Sequence, residues 1–449
     1  MAGTVASNGA LPSLGKLATH GRPDNWTTLG RIQSGMVLDF TSATISDTLA
    51  ARGFTFTRSG ATATRVNSSG VLETVAANTL RIDHDPTTLA CLGGLFEEAG
   101  TNAIRNSTMV GAAAGSPGTL PTNWSTSDAG LTRTVTVVTS EDGVPCVDIR
   151  WSGIASATLV QVLLDANTAS AASASQAWTC SAYMRLVGGS LANVSSVGVG
   201  VTYRDAGGAG LASGATSYAV SGGALRTQRA THTATSPAST AYAQGIINIS
   251  VVNGAAVDFT LRIGAPQLER KAFATSYIPT STAAVTRNSD ALTLSDLTRI
   301  GYSASAGTLV AQGVINGQAA SVYPGLVVLG MGASTMDEIA LYRNGASSRF
   351  FLSSKVTNVT QFSVSDTTTV AVGTAYKTAA AWAVNDAAHT TSGAAPATDT
   401  SGSLSTIIDR MSIGGFQARG EGTYGVQTIS RIEYYPRRLT NAELQTITT

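Results

Sequence analysis

Strict alternation of apolar and polar residues recurs along this chain and constrains its fold more than any other feature. It is clearest in WTCSAYMR (178–185), VGVGVTYRD (197–205), IINISVV (246–252) and DFTLRIG (258–264). Since successive side chains of a strand point to opposite faces, each segment is predicted to be a strand with one apolar and one polar face. Gly, Ser, Asn and Asp interrupt the pattern about every ten residues, which is typical of a β-sandwich or jelly roll.

The pattern therefore predicts an all-β protein built from tandem β-sandwich or jelly-roll domains. Short strands are expected early in the chain, as in MVLDFTSATI (36–45), and a polar link at 280–290. One short helix is predicted at 439–447, where Thr440 and Glu443 have the spacing of a capping box. The predicted divisions are an N-terminal arm (1–35), a small β module (36–105), a jelly roll (106–280) and a second β-sandwich (291–449).

Composition excludes several functional classes. The 449 residues carry a net charge of +1 and no basic run, so nucleic acid is not an expected partner. Hydrophobic residues make up 43%, which is enough for real cores, but no stretch approaches the 18 apolar residues of a membrane helix. The N-terminus also lacks the pattern of a signal peptide. We expect a protein that does not insert into membranes and is not exported by the standard signal.

Neither a metal nor another cofactor is indicated. Cys91, Cys146 and Cys180 stand far apart without a CxxC pair, and their number is odd, so they are predicted to be buried free thiols. In DHDP (83–86), Asp83, His84 and Asp85 are metal-ligand types. No second cluster lies nearby, and Asp before Pro is an ordinary turn signal. A turn is the favoured interpretation, and a metal contact is the alternative.

Adjacent carboxylates in GLFEEAGTN (94–102) resemble a catalytic pair at first sight. Glycosidase carboxylates face each other across about 5–9.5 Å. Glu97 and Glu98, as neighbours on a strand, point to opposite faces and cannot easily share a substrate. A charged strand end or an interface carboxylate is the favoured interpretation.

Other motifs are equally weak signals of catalysis. GEGTYG (420–425) matches G-x-G-x-x-G, but a dinucleotide site needs a following helix, and VQTISRIEYY is a strand pattern. A glycine-rich hairpin loop explains it. The four histidines are scattered, and nothing points to a Ser–His–Asp triad. We therefore expect no enzymatic activity.

The polar faces of the middle strands remain as a candidate binding surface. If those strands pair, one face presents an aromatic ring with guanidinium and amide groups, which suits stacking on a sugar and hydrogen bonding to it. The alternative is a plain hydrated sheet face. The candidate glycan-binding residues are Tyr183, Arg185, Arg204, Asn248 and Arg262, with Thr202 and Ser250 beside them.

The order of motifs resembles that of virion proteins of tailed phages and prophages. GFTFTRSGATATRVNSSG, ANTLRIDHDP and GLFEEAGTN follow one another as in a recurrent module of those proteins, with Asn67 where Asp is common. The middle part resembles a carbohydrate-binding-module-like jelly roll. Its closing run, which includes QLERKAFATSYIPT, resembles the ending found in the phage family, with Lys271 and Ala272 where glycine is frequent. AAAWAVNDAAH, DRMSIGG and ISRIEYYPRRLTNAEL resemble a concanavalin/laminin-G-like sandwich.

This resemblance implies a bacteriophage virion appendage: a tail fibre, head fibre, spike or decoration protein, assembled in the host cytoplasm and carried on the particle. Its N-terminus would dock on other virion proteins of the capsid or tail, its sandwiches would contact host-surface polysaccharide, and a homo-oligomer, with a trimer favoured, would be usual. No acidic loop specifies calcium. The alternatives are a structural cement protein without glycan binding and a polysaccharide depolymerase.

Overall fold

The alternating segments form strands in the computed structural model, which describes residues 35–60, 63–331, 337–419 and 424–449. The predicted N-terminal arm and most of GEGTYG lie outside these residues. The all-β prediction is confirmed, since nearly every element is a strand. Among the described residues, no helix is long and apolar enough to cross a membrane.

Between residues 35 and 102, the described part of the chain contains seven short strands and one helix. The strands are β1 (Met36–Asp39), β2 (Thr55–Thr57), β3 (Ala63–Val66), β4 (Leu72–Val75), β5 (Arg81–His84), β6 (Cys91–Glu97) and β7 (Gly100–Asn102). The helix, α1 (Ile45–Ala51), was not predicted, and it begins at the last residue of the segment 36–45, where short strands were expected. Ile45 and Leu49, four residues apart, are buried on one side of it, a helical spacing that the short segment did not reveal.

Ten strands form the middle sandwich, which has two five-stranded antiparallel sheets. They are β8 (Ser125–Ser127), β9 (Thr132–Glu141), β10 (Val144–Ile154), β11 (Leu159–Leu163), β12 (Ala177–Ser190), β13 (Val194–Arg204), β14 (Gly210–Ser217), β15 (Arg229–Thr235), β16 (Tyr242–Val251) and β17 (Ala256–Glu269). One sheet has the order β15-β12-β17-β10-β9 and the other β14-β13-β16-β11-β8. Their apolar faces share one core that includes Trp151, Met184, Val199, Ile247 and Phe259.

Twelve strands and the final helix follow. They are β18 (Val285–Arg287), β19 (Ala291–Leu294), β20 (Ala306–Gly317), β21 (Gly325–Gly330), β22 (Glu338–Asn344), β23 (Arg349–Val356), β24 (Val359–Val364), β25 (Ala375–Ala383), β26 (Asp386–Thr391), β27 (Ala397–Asp399), β28 (Arg410–Ile413), β29 (Val426–Tyr435) and α2 (Asn441–Thr448), with β18 discussed below as a partner of β7. Within the described residues, single-turn 3₁₀ helices lie at Leu225–Thr227, Leu297–Ile300 and Gln417–Arg419.

The outer sandwich combines strands from both ends of the described chain. One sheet has the order β27-β26-β25-β20-β29-β6-β5, with β1 also paired to β29, and the other has the order β2-β19-β28-β21-β22-β23-β24. Strand pairing thus places β1, β2, β5 and β6 in the same sheets as the C-terminal strands, a grouping that differs from the predicted division at residue 105. Residues such as Leu38, Phe96, Leu309 and Ile339 belong to one core.

Two small elements connect the sandwiches. Strands β7 and β18 pair as a two-stranded antiparallel ribbon, which we call the linking ribbon. The chain passes through β7 as it enters the middle sandwich and through β18 as it returns to the outer sandwich. The predicted polar link at 280–290 is therefore partly strand, and both Arg287 and Asp290 are fully buried. The β3–β4 hairpin, the covering hairpin, packs on the outside of the middle sandwich through Leu72.

The predicted C-terminal helix is confirmed with its cap. The Glu443 N–H donates to Thr440 Oγ1 at 3.2 Å, and the Thr440 N–H donates to Glu443 Oε2 at 2.6 Å. Leu439, Leu444 and Ile447 are buried, as their common face requires.

Candidate functional site

Three of the predicted glycan-binding residues lie on the sheet β15-β12-β17-β10-β9. Tyr183 is only 7% exposed, because the covering hairpin and Tyr277 pack over it. Arg185 donates to Glu141 Oε1 at 2.6 Å. Arg262 holds Asp148 with two hydrogen bonds, of 2.7 and 2.8 Å. The prediction that this side of β12 is a hydrated face was wrong, since other segments of the chain cover it.

The other two lie on the opposite sheet of the middle sandwich. Arg204 donates two hydrogen bonds to Gln244 Oε1, of 3.0 and 2.7 Å, and one to the Gly208 carbonyl. Asn248 Oδ1 accepts from Gln161 Nε2 at 2.8 Å. The five residues therefore share no face. They divide because β12 and β17 belong to one sheet and β13 and β16 to the other.

The carboxylate of Glu97 lies at the centre of a fully buried group of charges, the arginine cluster (Arg58, Arg81, Arg287, Glu97 and Asp290). Arg81 and Arg287 each donate to Glu97 Oε2 at 2.7 Å. Arg81 also reaches Asp290 Oδ2 at 2.6 Å, and Arg58 reaches Asp290 Oδ1 at 3.0 Å.

Electrostatics keep Glu97 ionised. Burial by itself raises the pKa of this carboxyl, but the charges of Arg287 and Arg81 and hydrogen bonds from Ser276 outweigh it, so the pKa is lowered to about 2. A carboxylate held so firmly in its charged form, with 0% exposure, neither donates a proton nor meets a substrate. The cluster joins β5, β6, β18 and the loop after β17, so its role is structural.

Glu98 contacts different partners from its neighbour. Its carboxylate pairs with the ammonium of Lys271, and its Oε2 accepts from the Gly425 N–H at 2.7 Å. The GLFEEAGTN stretch thereby ties the outer sandwich, through β29, to the end of β17 in the middle sandwich. The two carboxylates do not form a catalytic pair.

A cavity of about 420 Å³ opens beside the linking ribbon, and we call it the ribbon cavity. This volume is within the range of small-ligand sites. The ends of both sequence motifs singled out above, GLFEEAGTN and QLERKAFATSYIPT, contribute to its wall. Its lining comprises Ala99, Thr101, Ala103, Ala169, Ser170, Ala171, Trp178, Arg270, Lys271 and Ala284.

The lining combines an aromatic ring, small apolar groups and hydrogen-bond donors. Trp178 is 4% exposed, and its indole N–H has no acceptor among the described residues. The Thr101 hydroxyl bonds Thr286 Oγ1 at 2.7 Å, and Thr179 Oγ1 fixes the Lys271 carbonyl at 2.9 Å. Arg270 is exposed and forms no ion pair within the described part of the chain. We therefore take this cavity, and not the predicted sheet face, as the candidate binding site.

The sequence did not single out Trp178, Arg270 or Lys271 as a site. Trp178 was assigned to the apolar face of a strand. The two cations belong to QLERKAFATSYIPT, which was considered only for its resemblance to phage proteins. The signal that could have found them is the pair of consecutive cations directly after β17, in a chain with only four lysines.

The DHDP stretch serves the fold. Asp83 Oδ1 accepts from the Val66 N–H at 2.8 Å, and Asp85 Oδ1 accepts from the N–H groups of Thr87 and Thr88 in a tight turn. Within the described ranges, no group of three or more His, Cys, Asp or Glu residues is placed to hold a metal ion. All three cysteines are free thiols, with Cys146 and Cys180 buried and Cys91 half-buried.

One arrangement resembles a hydrolytic triad in outline. His389 Nε2 lies 2.9 Å from Thr378 Oγ1, and His389 Nδ1 lies 3.6 Å from Asp366 Oδ2. Both His389 and Thr378 have 0% exposure, and burial lowers the pKa of His389 to about 4. A hydroxyl sealed in a core meets no substrate, so the geometry indicates a satisfied core histidine.

A second cavity, of about 320 Å³, brings two carboxyl groups together, those of Asp296 and Asp409. Asp296 is bound by the Thr298 hydroxyl at 2.5 Å, which together with Arg299 lowers its pKa. Asp409 pairs with Arg410 at 2.8 Å. Glycoside hydrolysis needs one carboxyl group with a raised pKa, and Asp296 shows the opposite shift.

Comparisons with known proteins give only distant structural similarity. No protein-family model matches the chain, and no curated protein matches it in sequence. The IT-sialidase CBM40 of Ruminococcus gnavus bound to α2,3-sialyllactose is 17% identical over 33% of this chain and 84% of that chain, with a TM-score of 0.29. Trypanosoma rangeli sialidase is 16% identical over 35% of this chain and 25% of that chain, with a TM-score of 0.28.

A mutant of NanB sialidase from Streptococcus pneumoniae is similar at the same level. It is 13% identical over 35% of this chain and 26% of that chain, with a TM-score of 0.29. At these TM-scores the similarities carry no argument about the activity or the ligand of this chain. The functional proposal therefore rests on the chain's own residues.

Proposed function

We propose that this chain is a non-enzymatic virion appendage protein of the phage type that binds host-surface glycans at the ribbon cavity. The single observation that carries glycan binding is the wall formed by Trp178, Arg270 and Lys271 around about 420 Å³. Trp178 is too deeply buried to stack on a sugar and closes the wall from behind, while the cations and hydroxyl groups at the cavity surface can donate hydrogen bonds to sugar oxygens.

The virion part of the proposal rests on the order of sequence motifs, which resembles that of phage structural proteins. The fold is compatible with that role. Two all-β sandwiches share a buried set of ion pairs at their junction, so a rigid appendage is expected. Docking on the particle is assigned to residues 1–35, and a homo-oligomer is part of the same proposal.

The test of glycan binding uses the labelled full-length chain on an array of bacterial surface polysaccharides. Saturable binding is expected, and Ala99→Trp, which adds an indole at the exposed cavity wall, is expected to abolish it. Ala206→Trp is the matched control, because Ala206 is an exposed turn residue outside the cavity lining. Binding that survives in Ala99→Trp would place the site elsewhere.

Structural cement is the second candidate. The observation that favours it is that the predicted glycan-binding residues are occupied within the chain: Tyr183 is buried, and Arg185, Arg204 and Arg262 each donate to a partner in the same chain. If no polysaccharide binds the oligomeric protein, and if the protein is needed for particle assembly, cement replaces glycan recognition.

A depolymerase is the third candidate, since Asp296 and Asp409 line one cavity. Shortening of a bound polysaccharide by the wild-type chain, lost in Asp409→Asn, would establish it. We expect no shortening, because both carboxylates already pair with an arginine beside them, Asp296 with Arg299 and Asp409 with Arg410.

A further inference from the structure

The charge of the ribbon cavity selects the kind of sugar. We infer that it binds a carboxylated saccharide, with the sugar carboxylate on Arg270; this inference rests on the proposed function.

Cationic groups are present in the cavity wall, and no carboxylate lines it. Lys271 is neutralised by Glu98, but Arg270 has no ion-pair partner among the described residues. The wall therefore carries one uncompensated positive charge. A neutral sugar would leave that charge facing only water, whereas an anionic sugar would pair with it.

The geometry of arginine favours a carboxylate as the anion. The guanidinium fork is planar and donates two parallel hydrogen bonds to the two oxygens of one carboxylate. A neutral hydroxymethyl group offers a single oxygen and no charge. Replacing the sugar carboxylate by a hydroxymethyl group is therefore expected to weaken binding more than changing any other group of the sugar.

Another donor in the wall also awaits an acceptor. The Ser170 hydroxyl forms no hydrogen bond to the described residues, although Ser170 is only 7% exposed. The Trp178 indole N–H also lacks an acceptor, but its nitrogen is fully buried, so it adds no donor that a ligand in the cavity can reach. A site rich in donors and free of acidic groups complements a ligand rich in acceptors, and sugar carboxylates are such ligands.

The experiment measures binding of the full-length chain to a panel of oligosaccharides that contain uronic acids or N-acetylneuraminic acid. Each is paired with its carboxyl-reduced counterpart, in which only the carboxylate has become a hydroxymethyl group. The wild-type chain is expected to bind at least one carboxylated member about tenfold more tightly than its reduced form. Arg270→Gln should remove this preference and leave affinity for the reduced form unchanged.

Arg150→Gln is the matched control, because it removes the same charge from an exposed arginine outside the cavity, and it should keep the preference. Equal binding of both forms would overturn the inference while glycan binding stands. Binding of sulfated oligosaccharides alone would overturn the carboxylate assignment. Absence of binding to every saccharide, reduced or not, would overturn both the inference and the proposed function.

Discussion

Glu97 accepts two hydrogen bonds from Ser276, one from its backbone N–H at 2.7 Å and one from its hydroxyl at 2.6 Å, across 179 residues of sequence. The first residue ends β6 of the outer sandwich, and the second lies in the loop that leaves the middle sandwich. A carboxylate that reads as a catalytic candidate is thus the point where the two sandwiches are joined.

Replacing Glu97 should destabilise the protein strongly. Glu97→Gln leaves Arg287 buried without its carboxylate partner and Arg81 paired only with Asp290, and loss of one partner from a buried ion pair costs about 3–5 kcal/mol. The free energy of unfolding in urea measures it. Glu73→Gln is the control, because Glu73 pairs with Arg65 on the surface and its loss is expected to cost less than about 1 kcal/mol. Equal effects in the two variants would contradict a central role for the cluster.

The protein should become less stable as the pH decreases, because of His389. Its folded-state pKa is lowered by burial to about 4, against 6.5 for the unfolded chain, so the unfolded chain binds more protons between these values. Stability is therefore full above pH 6.5 and is lost as the pH falls toward 4. The contribution is about 2 kcal/mol between pH 8 and pH 5. Comparing urea unfolding of the wild type and His389→Gln at both pH values isolates this contribution, and an equal loss of stability in the two proteins would contradict the role of His389.

Gly143 is expected to tolerate no side chain. Its φ is +78°, and an added Cβ would lie 2.0 Å from the Leu72 carbonyl oxygen of the covering hairpin. Gly143→Ala should therefore displace the hairpin and expose Cys146, which is buried beneath it with its pKa raised by burial to about 11. Faster thiol modification at Cys146, located by mass spectrometry, is the expected result.

Gly254 separates backbone strain from this contact. Its φ is +77°, and nothing lies within 4 Å of an added Cβ. Gly254→Ala should cost similar strain and leave the Cys146 rate at the wild-type value. If both variants speed the reaction equally, displacement of the hairpin is not the cause.

Removing the cap of α2 should have a modest effect. Thr440→Ala loses the side-chain acceptor for the Glu443 N–H, which costs about 1 kcal/mol. Thr446→Ala, in the exposed middle of the same helix, is expected to be neutral or slightly stabilising. Thermal unfolding of the two variants beside the wild type distinguishes them, and a larger loss for Thr446→Ala would reject the cap.

Local patterns predicted the strands and the last helix because both depend on neighbouring residues. Val197, Val199 and Val201 are buried as their alternation requires, and Thr440 caps as its spacing to Glu443 requires. The other face of β12 could not be predicted in this way. Tyr183 is covered by Leu72 of the covering hairpin, and no local pattern links positions so far apart.

The candidate site was predicted poorly because it also depends on contacts between segments that are far apart in the sequence. Arg185 and Arg262 looked free because their partners, Glu141 and Asp148, lie on other strands. The ribbon cavity assembles Thr101, Trp178 and Arg270 from three distant segments, and its existence depends on how the linking ribbon packs. Alternation could show which side chains face outward from a strand, but not what lies over them.

The linking ribbon shows that the middle sandwich is an insertion within the outer sandwich; we call the outer sandwich the host domain and the middle sandwich the guest domain. Its entry and exit strands, β7 and β18, are hydrogen-bonded neighbours, with Asn102 opposite Val285. The host is completed only when β29, near the end of the chain, pairs with β1 and β6. During synthesis the middle sandwich can therefore fold before β29 has been made, whereas the outer sandwich cannot be completed until then. Because its two ends meet, one middle sandwich could be exchanged for another with the same spacing between its ends, without any change in the strand order of the outer sandwich.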